Sequence, residues 1–161
     1  MPEALNERLY SSTYDSPIGP LTLVASLRGL VALEFGKRKH ADCVDDPKRL
    51  ASYRKQLDEY FAGKRQEFTV PLDLRGTDFQ KRCWQQLLKI PYGQTRSYRQ
   101  IAEAVGNRNA VRAVGLANGQ NPIAIIVPCH RVIASDGTLC GYGGGLDVKE
   151  ELLRLEGARL F

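Results

Sequence analysis

The residues with the clearest capacity for chemistry stand together at Pro128-Cys129-His130-Arg131, directly after the apolar run 123–127. A cysteine attacks carbon as its thiolate, and a neighbouring histidine or arginine favours that form. Because proline cannot donate to a strand's hydrogen-bond ladder, the apolar run is predicted to be a strand that ends at Pro128. Adjacent residues of an extended chain point to opposite faces, so His130 would reach the sulfur only through a water molecule or a turn.

Two other interpretations of Cys129 stay open on residue type alone. Cysteine is among the most buried residue types, and at the end of an apolar strand it often fills the core. A cysteine beside a histidine is also found in cysteine hydrolases, which need a directly paired imidazole and an oxyanion pocket. The nucleophile hypothesis requires a thiol at the mouth of a cleft.

The cysteines and histidines form no pattern typical of a metal site or a disulfide framework. The four cysteines include no C-x-x-C pair, and the two histidines, His40 and His130, are far apart in sequence. A chain of 161 residues with 43% hydrophobic residues can build a core without disulfides. We therefore expect reduced thiols and no metal. The four positions are Cys43, Cys83, Cys129 and Cys140.

Charge and hydropathy limit the class of protein. The net charge is +5, and from Thr77 onward 11 Lys/Arg stand against 7 Asp/Glu, which indicates a polyanionic partner for this half. No apolar run approaches the roughly 20 residues of a membrane span. The N-terminus lacks the basic-then-apolar order of a secretory signal, so we expect a cytoplasmic protein with no membrane contact.

The first half of the chain is predicted to be strand-rich. Residues 9–14, 21–27 and 30–35 are short β-favouring segments separated by turn sequences, and a surface loop is predicted over 36–48. Apolar residues then recur at helical spacing from Leu50 to Phe61. Residues 71–76 separate an N-terminal domain, 1–76, from a C-terminal domain, 77–161.

The second half is predicted to be helical. Thr77 and Ser97 each begin a capping box, and a third helix is expected over residues 110–118. Two short helices joined by a tight turn at Gly106 are typical of a helix-turn-helix. Asp147 is expected to cap a last helix that ends at Gly157.

These motifs together resemble the O6-alkylguanine-DNA alkyltransferases. The resemblance covers the whole second half in the same order, and the first half more loosely through residues 15–19 and 72–79. It implies an α+β fold, with an RNase H-like N-terminal antiparallel sheet and helix and a C-terminal helical winged helix-turn-helix domain. The motifs are Ile90-Pro91-Tyr92-Gly93, Ser97-Tyr98, Ile101-Ala102, Arg112-Ala113-Val114-Gly115, Asn121-Pro122, Pro128-Cys129-His130-Arg131-Val132 and Gly141-Tyr142-Gly143-Gly144-Gly145 before a Lys149-Glu150 helix.

The resemblance implies a catalytic role for five residues. Cys129 would be the alkyl acceptor, activated through a water by His130, and Glu156 would hold the imidazole and favour its charged form. Asn121 would bridge the recognition helix to the active-site strand. Tyr98 would hydrogen-bond the guanine ring and crowd the neighbouring phosphate.

The resemblance also implies contacts with double-stranded DNA and a pocket for the base. Arg112 would fill the gap left when the damaged nucleotide rotates out of the duplex. Small residues of the recognition helix would approach the minor groove, with phosphate contacts dominating binding. They are Ala110, Ala113, Val114 and Ala117. The pocket would be formed by the carbonyls of Cys129 and Val132, by Tyr142 and by the Gly143 amide; Cys140 either narrows its mouth or is a spectator.

The expected function is therefore direct DNA repair by one irreversible alkyl transfer to Cys129, with no cofactor. Repair of O4-alkylthymine stays open, as does cooperative assembly on DNA by a protein that is a monomer in solution. The alternative is a non-catalytic alkyltransferase-like module that binds alkylated bases. In such modules the cysteine is replaced, whereas here Cys129 is present.

Overall fold

The computed structural model describes residues 7–158, which divide into two compact units between Leu74 and Arg75. In its described residues the first unit contains a four-stranded sheet and one helix, and the second is largely helical, which confirms the predicted α+β class. In the described residues no helix combines the length and apolar composition that a membrane span requires.

The sheet of the first unit has the strand order β3-β2-β1-β4. Its central strand β2 buries five consecutive residues, Leu21 to Ala25, because neighbours flank it and both of its faces are covered. The edge strand β4 pairs parallel to β1, so the sheet is mixed and the expected all-antiparallel sheet is wrong at this edge. The elements are β1 (Leu9–Ser16), β2 (Gly19–Ala25), β3 (Leu30–Phe35), β4 (Cys43–Asp45) and α1 (Ala51–Phe61).

The second unit contains four helices, one 3-10 turn and two very short strands in the described residues. Thr77 and Ser97 form the complete capping boxes that their sequences predict, each side chain accepting from the backbone amide three residues on. The elements are α2 (Asp78–Leu87), β5 (Arg96–Ser97), α3 (Tyr98–Ala104), α4 (Val111–Gly119), the 3-10 turn (Cys129–Arg131), β6 (Val132–Ile133) and α5 (Leu146–Leu155).

Helices α3 and α4 form the predicted helix-turn-helix. Gly106, with a φ of 93°, lies in the turn between them, where a left-handed backbone favours glycine. Helix α4 is anchored from behind by Trp84 of α2, whose indole N–H donates to the Ala117 carbonyl at 2.9 Å. The outward face of α4 is thereby fixed relative to the core of this unit.

Two local expectations for the second unit are wrong. Residues 123–127 form hydrogen-bonded turns and no strand, because a short apolar run at this length is equally compatible with other buried conformations. Helix α5 begins after Gly145, without a side-chain cap, so Asp147 lies inside its first turn. There its negative charge is favourable to the helix dipole.

We expect Gly29→Ala to destabilise the first unit by roughly 1–3 kcal/mol. A Cβ at this position would lie 2.7 Å from the carbonyl carbon and oxygen of Pro71, in the segment that bonds to Leu30 at the start of β3. Urea denaturation measures the effect. Gly119→Ala is the control, since a Cβ there meets nothing within 4 Å; equal stability of the two variants would contradict this packing.

Candidate active site

The nucleophile candidate Cys129 is the first residue of a 3-10 turn. This turn follows directly from Pro128 and carries Cys129, His130 and Arg131 in one tight segment. The sequence allowed His130 to reach the sulfur either through a water molecule or at a turn, and the structure contains a turn at this point. All three residues are buried, and His130 is 0% exposed.

The backbone before the nucleophile is bent by Asn121. Its side-chain oxygen accepts from the Ile123 amide at 3.0 Å, and its Nδ2 donates to the Val127 carbonyl at 2.8 Å, so one side chain closes the turn from both ends. Inside this turn Ile125 has a φ of 72°, in the left-handed region that a β-branched residue rarely adopts. Such strain costs about 1–3 kcal/mol and persists where the surroundings over-determine it.

The Cys129 thiol is less accessible than the sequence-based hypothesis requires. The residue is 6% exposed. Burial raises the pKa of its thiol, while a hydrogen bond with the Asn121 side chain and the positive charge of Lys149 oppose that rise. The resting sulfur is therefore a protonated thiol at neutral pH, placed beside two groups that stabilise its thiolate.

Glu156 is the centre of a buried hydrogen-bond network. It accepts from His130 Nε2 at 2.8 Å and from Arg131 Nε and Nη2 at 2.7 and 3.0 Å. Burial alone would raise the pKa of Glu156, but the bonds and charges of His130 and Arg131 lower it to about 2. The carboxylate is therefore ionised at every physiological pH.

The ionised carboxylate determines the tautomer of His130. A carboxylate is an acceptor only, so Nε2 must carry the proton that it donates to Glu156. Burial lowers the pKa of His130, aided by the charges of Arg131 and Lys149, and this outweighs the opposite effect of Glu156. Glu156 thus favours the charged form, as predicted, but burial together with the two cations outweighs its effect. The ring is neutral, with a basic lone pair on Nδ1.

That basic nitrogen is buried and accepts no hydrogen bond from residues 7–158. A neutral imidazole with a fixed Nε2 proton and an uncommitted Nδ1 is the form needed by a general base. The site thus pairs a protonated thiol with a neutral base on the next residue. This arrangement can generate a thiolate on demand.

Arg131 and the turn at residues 90–93 support the carboxylate from behind. Arg131 Nη1 donates to the Ile90 carbonyl at 2.7 Å, and its guanidinium lies 5.8 Å from the centroid of the Tyr92 ring. The Tyr92 hydroxyl donates to the Leu155 carbonyl at 3.2 Å, at the end of α5 beside Glu156. The conformation of this turn therefore fixes both partners of the ion pair.

Lys149 is a buried cation that was not among the predicted site residues. Its Nζ donates to the carbonyls of Val132 and Cys140, at 2.7 and 2.8 Å, and so ties together the two ends of the segment after the nucleophile. Burial lowers its pKa, opposed by the charges of Cys129 and Cys140. Lys149, Leu152, Leu153 and Glu156 follow helical spacing on the buried stripe of α5. Two charged residues on such a stripe are the signal that could have identified Lys149.

The remaining predicted pocket residues lie around the same turn. Tyr98 is the first residue of α3, and the pairing of Ser97 with Ile133 brings it beside the segment after Cys129. Burial raises the pKa of Tyr98 and of Tyr142, and a thiolate at Cys129 would raise the pKa of both hydroxyls further. The structure therefore brings together Cys129, Tyr98 and Tyr142. Gly143 is exposed, in the loop before α5.

The recognition helix presents fewer of the predicted contact residues than expected. Arg112 and Ala113 are exposed and Ala110 is half-buried, whereas Val114 and Ala117 are 1% and 2% exposed. Those two residues point into the core, because positions i and i+3 share one face of a helix. Their assignment to the predicted DNA-facing surface is therefore wrong, and Leu116, 64% exposed, lies on the exposed face of the helix.

No cluster of three or more His, Cys, Asp or Glu side chains suited to a metal occurs in residues 7–158. The four cysteines are free thiols.

Comparison with known proteins identifies the family. Residues 9–74 match the ribonuclease-like domain of 6-O-methylguanine DNA methyltransferases, and residues 78–158 match their DNA-binding domain. The chain belongs to the 6-O-methylguanine DNA methyltransferase family. Its enzymatic class is accordingly methylated-DNA–protein-cysteine methyltransferase, a class that acts in DNA repair.

Individual relatives match along nearly the whole chain. The methylated-DNA–protein-cysteine methyltransferase of Mycobacterium tuberculosis H37Rv is 54% identical over 157 residues, 94% of each chain. That of Methanosarcina barkeri is 50% identical over 153 residues, 92% of this chain and 97% of the relative. The crystal structure of Mycobacterium tuberculosis OGT in complex with DNA has a TM-score of 0.88 at 54% identity, covering 92% of both chains.

We expect Glu156→Gln to lower the free energy of unfolding at pH 7 by about 3 kcal/mol, which corresponds to the difference between a pKa of about 2 and the ordinary 4.5. Because folding lowers this pKa, the stabilisation is complete above pH 4.5 and is lost as the pH falls toward 2. Urea denaturation at pH 7 and pH 3 should show the difference between wild type and variant shrinking.

Glu150→Gln is the matched control on the same helix. Within residues 7–158, Glu150 pairs with the exposed Arg154 at 3.2 Å, so its loss should change stability by less than about 1 kcal/mol at either pH. A Glu156→Gln variant as stable as this control would contradict the network.

Proposed function

We propose that this chain repairs DNA by transferring the alkyl group of O6-alkylguanine to the sulfur of its own Cys129, once per molecule and irreversibly. The observation that carries the proposal is the buried series in which Glu156 holds His130 as a neutral base on the residue next to the thiol. The relatives act on methylated DNA with a protein cysteine, and one of them forms a complex with DNA.

The reaction begins with proton transfer from the thiol. His130 Nδ1 takes the Cys129 proton through a bridging water molecule, and Glu156 stabilises the imidazolium that forms. The Asn121 side chain and the Lys149 charge favour the thiolate. Burial keeps the thiol protonated at rest and thereby protects it from adventitious oxidation until the base takes its proton.

The alkyl transfer then balances without a cofactor. The thiolate attacks the alkyl carbon in line, the sulfur–carbon bond forms, and the bond from carbon to O6 breaks with its electron pair passing to guanine. The proton that left the thiol ends on guanine, so the products are a thioether and an unmodified base. A thioether has no low-energy route back to a thiolate, which makes the transfer irreversible.

Access to the buried sulfur requires the damaged nucleotide to leave the duplex. A thiol that is 6% exposed cannot touch a base inside a stacked helix. We infer that the exposed face of α4 docks in the minor groove, that Arg112 occupies the vacated position in the duplex, and that Tyr98 meets the rotated base. The positive charge of residues 77–161 supports phosphate contacts that weaken with salt.

The base is recognised by backbone groups around the 3-10 turn. The Cys129 and Val132 carbonyls accept from the guanine amino group, and the Gly143 amide donates toward O6. The Val132 carbonyl is already positioned by Lys149, at 2.7 Å. A Cβ at Gly143 would meet nothing within 4 Å, so no neighbouring atom crowds this part of the loop.

We infer that the protein acts as a monomer in the cytoplasm.

Incubation with duplex DNA that contains O6-methylguanine should consume protein and lesion in equal amounts. Mass spectrometry should place one methyl group on the peptide that contains Cys129, because this sulfur becomes a thioether. Cys129→Ser should abolish the transfer, and Cys43→Ser, in the other unit, should leave it unchanged. Turnover beyond one lesion per molecule would refute the stoichiometric mechanism, and binding without labelling would favour a non-catalytic recognition module.

Arg112→Ala should slow single-turnover transfer from duplex DNA roughly 10-fold, because the extruded state of the nucleotide loses the side chain that replaces it. Transfer from the free base O6-benzylguanine should be unchanged, since no duplex must be opened. Arg154→Ala removes another exposed arginine and is the control. An equal loss with both substrates would show that Arg112 acts on the chemistry and not on the extrusion.

A further inference from the structure

Asn118 is a polar residue on the buried face of the recognition helix. It is 6% exposed, whereas the next two residues, Gly119 and Gln120, are exposed. Helical spacing places it with Val114 and Ala117, which form the inward stripe of α4. A side-chain amide on such a stripe costs free energy unless its polar atoms are hydrogen-bonded, so its contacts indicate why an amide is present there.

The Asn118 amide touches two groups of the active site. Its Nδ2 donates to the Cys129 carbonyl at 3.4 Å, which links α4 to the first residue of the 3-10 turn. The same side chain acts on the Tyr98 hydroxyl, where it opposes the rise in the Tyr98 pKa that burial causes. The Tyr98 ring lies along the same face of α4, since a Cβ at Gly115, one turn earlier, would be 4.0 Å from Tyr98 Cδ1.

The orientation of this amide is determined by what it donates to. A carbonyl oxygen accepts only, so the NH2 group and not the oxygen of Asn118 must face the Cys129 carbonyl. Its own Oδ1 is buried and accepts no hydrogen bond within residues 7–158. An amide that served packing alone would be replaced by an apolar residue without loss. Here the donor side bonds the backbone carbonyl of the nucleophile, while the acceptor side is unsatisfied.

We propose that Asn118 is a positioning residue for alkyl transfer, which orients the Tyr98 hydroxyl and the Cys129 backbone toward the substrate from the buried side of the DNA-binding helix. This inference rests on the proposed function. This role differs from that of Asn121, which shapes the turn before the nucleophile and hydrogen-bonds the Cys129 side chain. Asn118 contacts the backbone of the nucleophile and the aromatic residue opposite, so it acts on geometry and not on the thiol.

The test is a double-mutant cycle of Asn118→Leu and Tyr98→Phe, with single-turnover transfer from O6-methylguanine duplex DNA as the readout. Asn118→Leu should slow transfer roughly 10-fold in the wild-type background, because the barrier rises by about the free energy of one orienting hydrogen bond. It should slow transfer less than 3-fold in the Tyr98→Phe background, where the hydroxyl is already absent. Equal losses in the two backgrounds would overturn the proposal.

Two accompanying measurements separate positioning from stability and from thiol activation. The affinity of Asn118→Leu for undamaged duplex DNA and the pH profile of Cys129 alkylation by iodoacetamide should match those of wild type. A shifted pH profile would mean that Asn118 acts on the thiol and would overturn the proposal.

Asn118→Asp provides a second variant if the leucine variant does not fold. It keeps the shape but has no donor when ionised, so transfer should slow at least as much as in Asn118→Leu. Transfer at the wild-type rate would refute a donor role. If the wild-type protein transfers no alkyl group, the proposed function is refuted. If the wild-type protein transfers it but the effects of the Asn118 and Tyr98 substitutions are additive, only the role of Asn118 is refuted.

Discussion

The structure of the second unit depends on one buried carboxylate. Glu156, at the end of the last helix, accepts hydrogen bonds from two side chains of the 3-10 turn. Ionised groups are costly to bury alone, and a fork of arginine donors together with an imidazole N–H offsets that cost. Helix α5, the turn at residues 90–93 and the nucleophile segment therefore have one compatible arrangement, because each contributes an element of the same network.

The network also fixes the chemistry of the imidazole. Complete burial, aided by the charges of Arg131 and Lys149, keeps His130 neutral although it is bonded to a carboxylate. In water, a carboxylate bonded to a histidine favours the protonated, charged imidazole. Burial reverses that preference here, because it disfavours the charged form. The imidazole therefore donates its Nε2 proton to Glu156 and keeps a basic lone pair on Nδ1. Lys149 has a second role, because its charge favours the thiolate while its hydrogen bonds hold the following segment.

Much of this organisation was predictable from sequence, and the exceptions have physical reasons. The capping boxes at Thr77 and Ser97 were predictable because their hydrogen bonds are local. The turns at 123–127 were not, since the bend is imposed by Asn121 and a short apolar run is compatible with several buried conformations. The small size of Val114 and Ala117 in α4 predicts a place on the DNA-facing surface, whereas helical spacing places them on the buried face. Lys149 and Asn118 share the same explanation: each is a polar residue on an otherwise apolar stripe, recognisable by periodicity but assignable only with its tertiary partners.

The pairing of β5 with β6 has an evolutionary consequence. Only two residues of each strand pair, Arg96 with Val132 and Ser97 with Ile133, yet they join the start of the helix-turn-helix to the residues just after the thiol. The helix-turn-helix and the segment that carries Cys129 are thus interleaved along the chain rather than carried by separable modules. Recombination between homologues should preserve the fold of this unit only when residues 96–133 are inherited as one block, because a crossover inside it would combine a helix-turn-helix and a 3-10 turn that were never selected together.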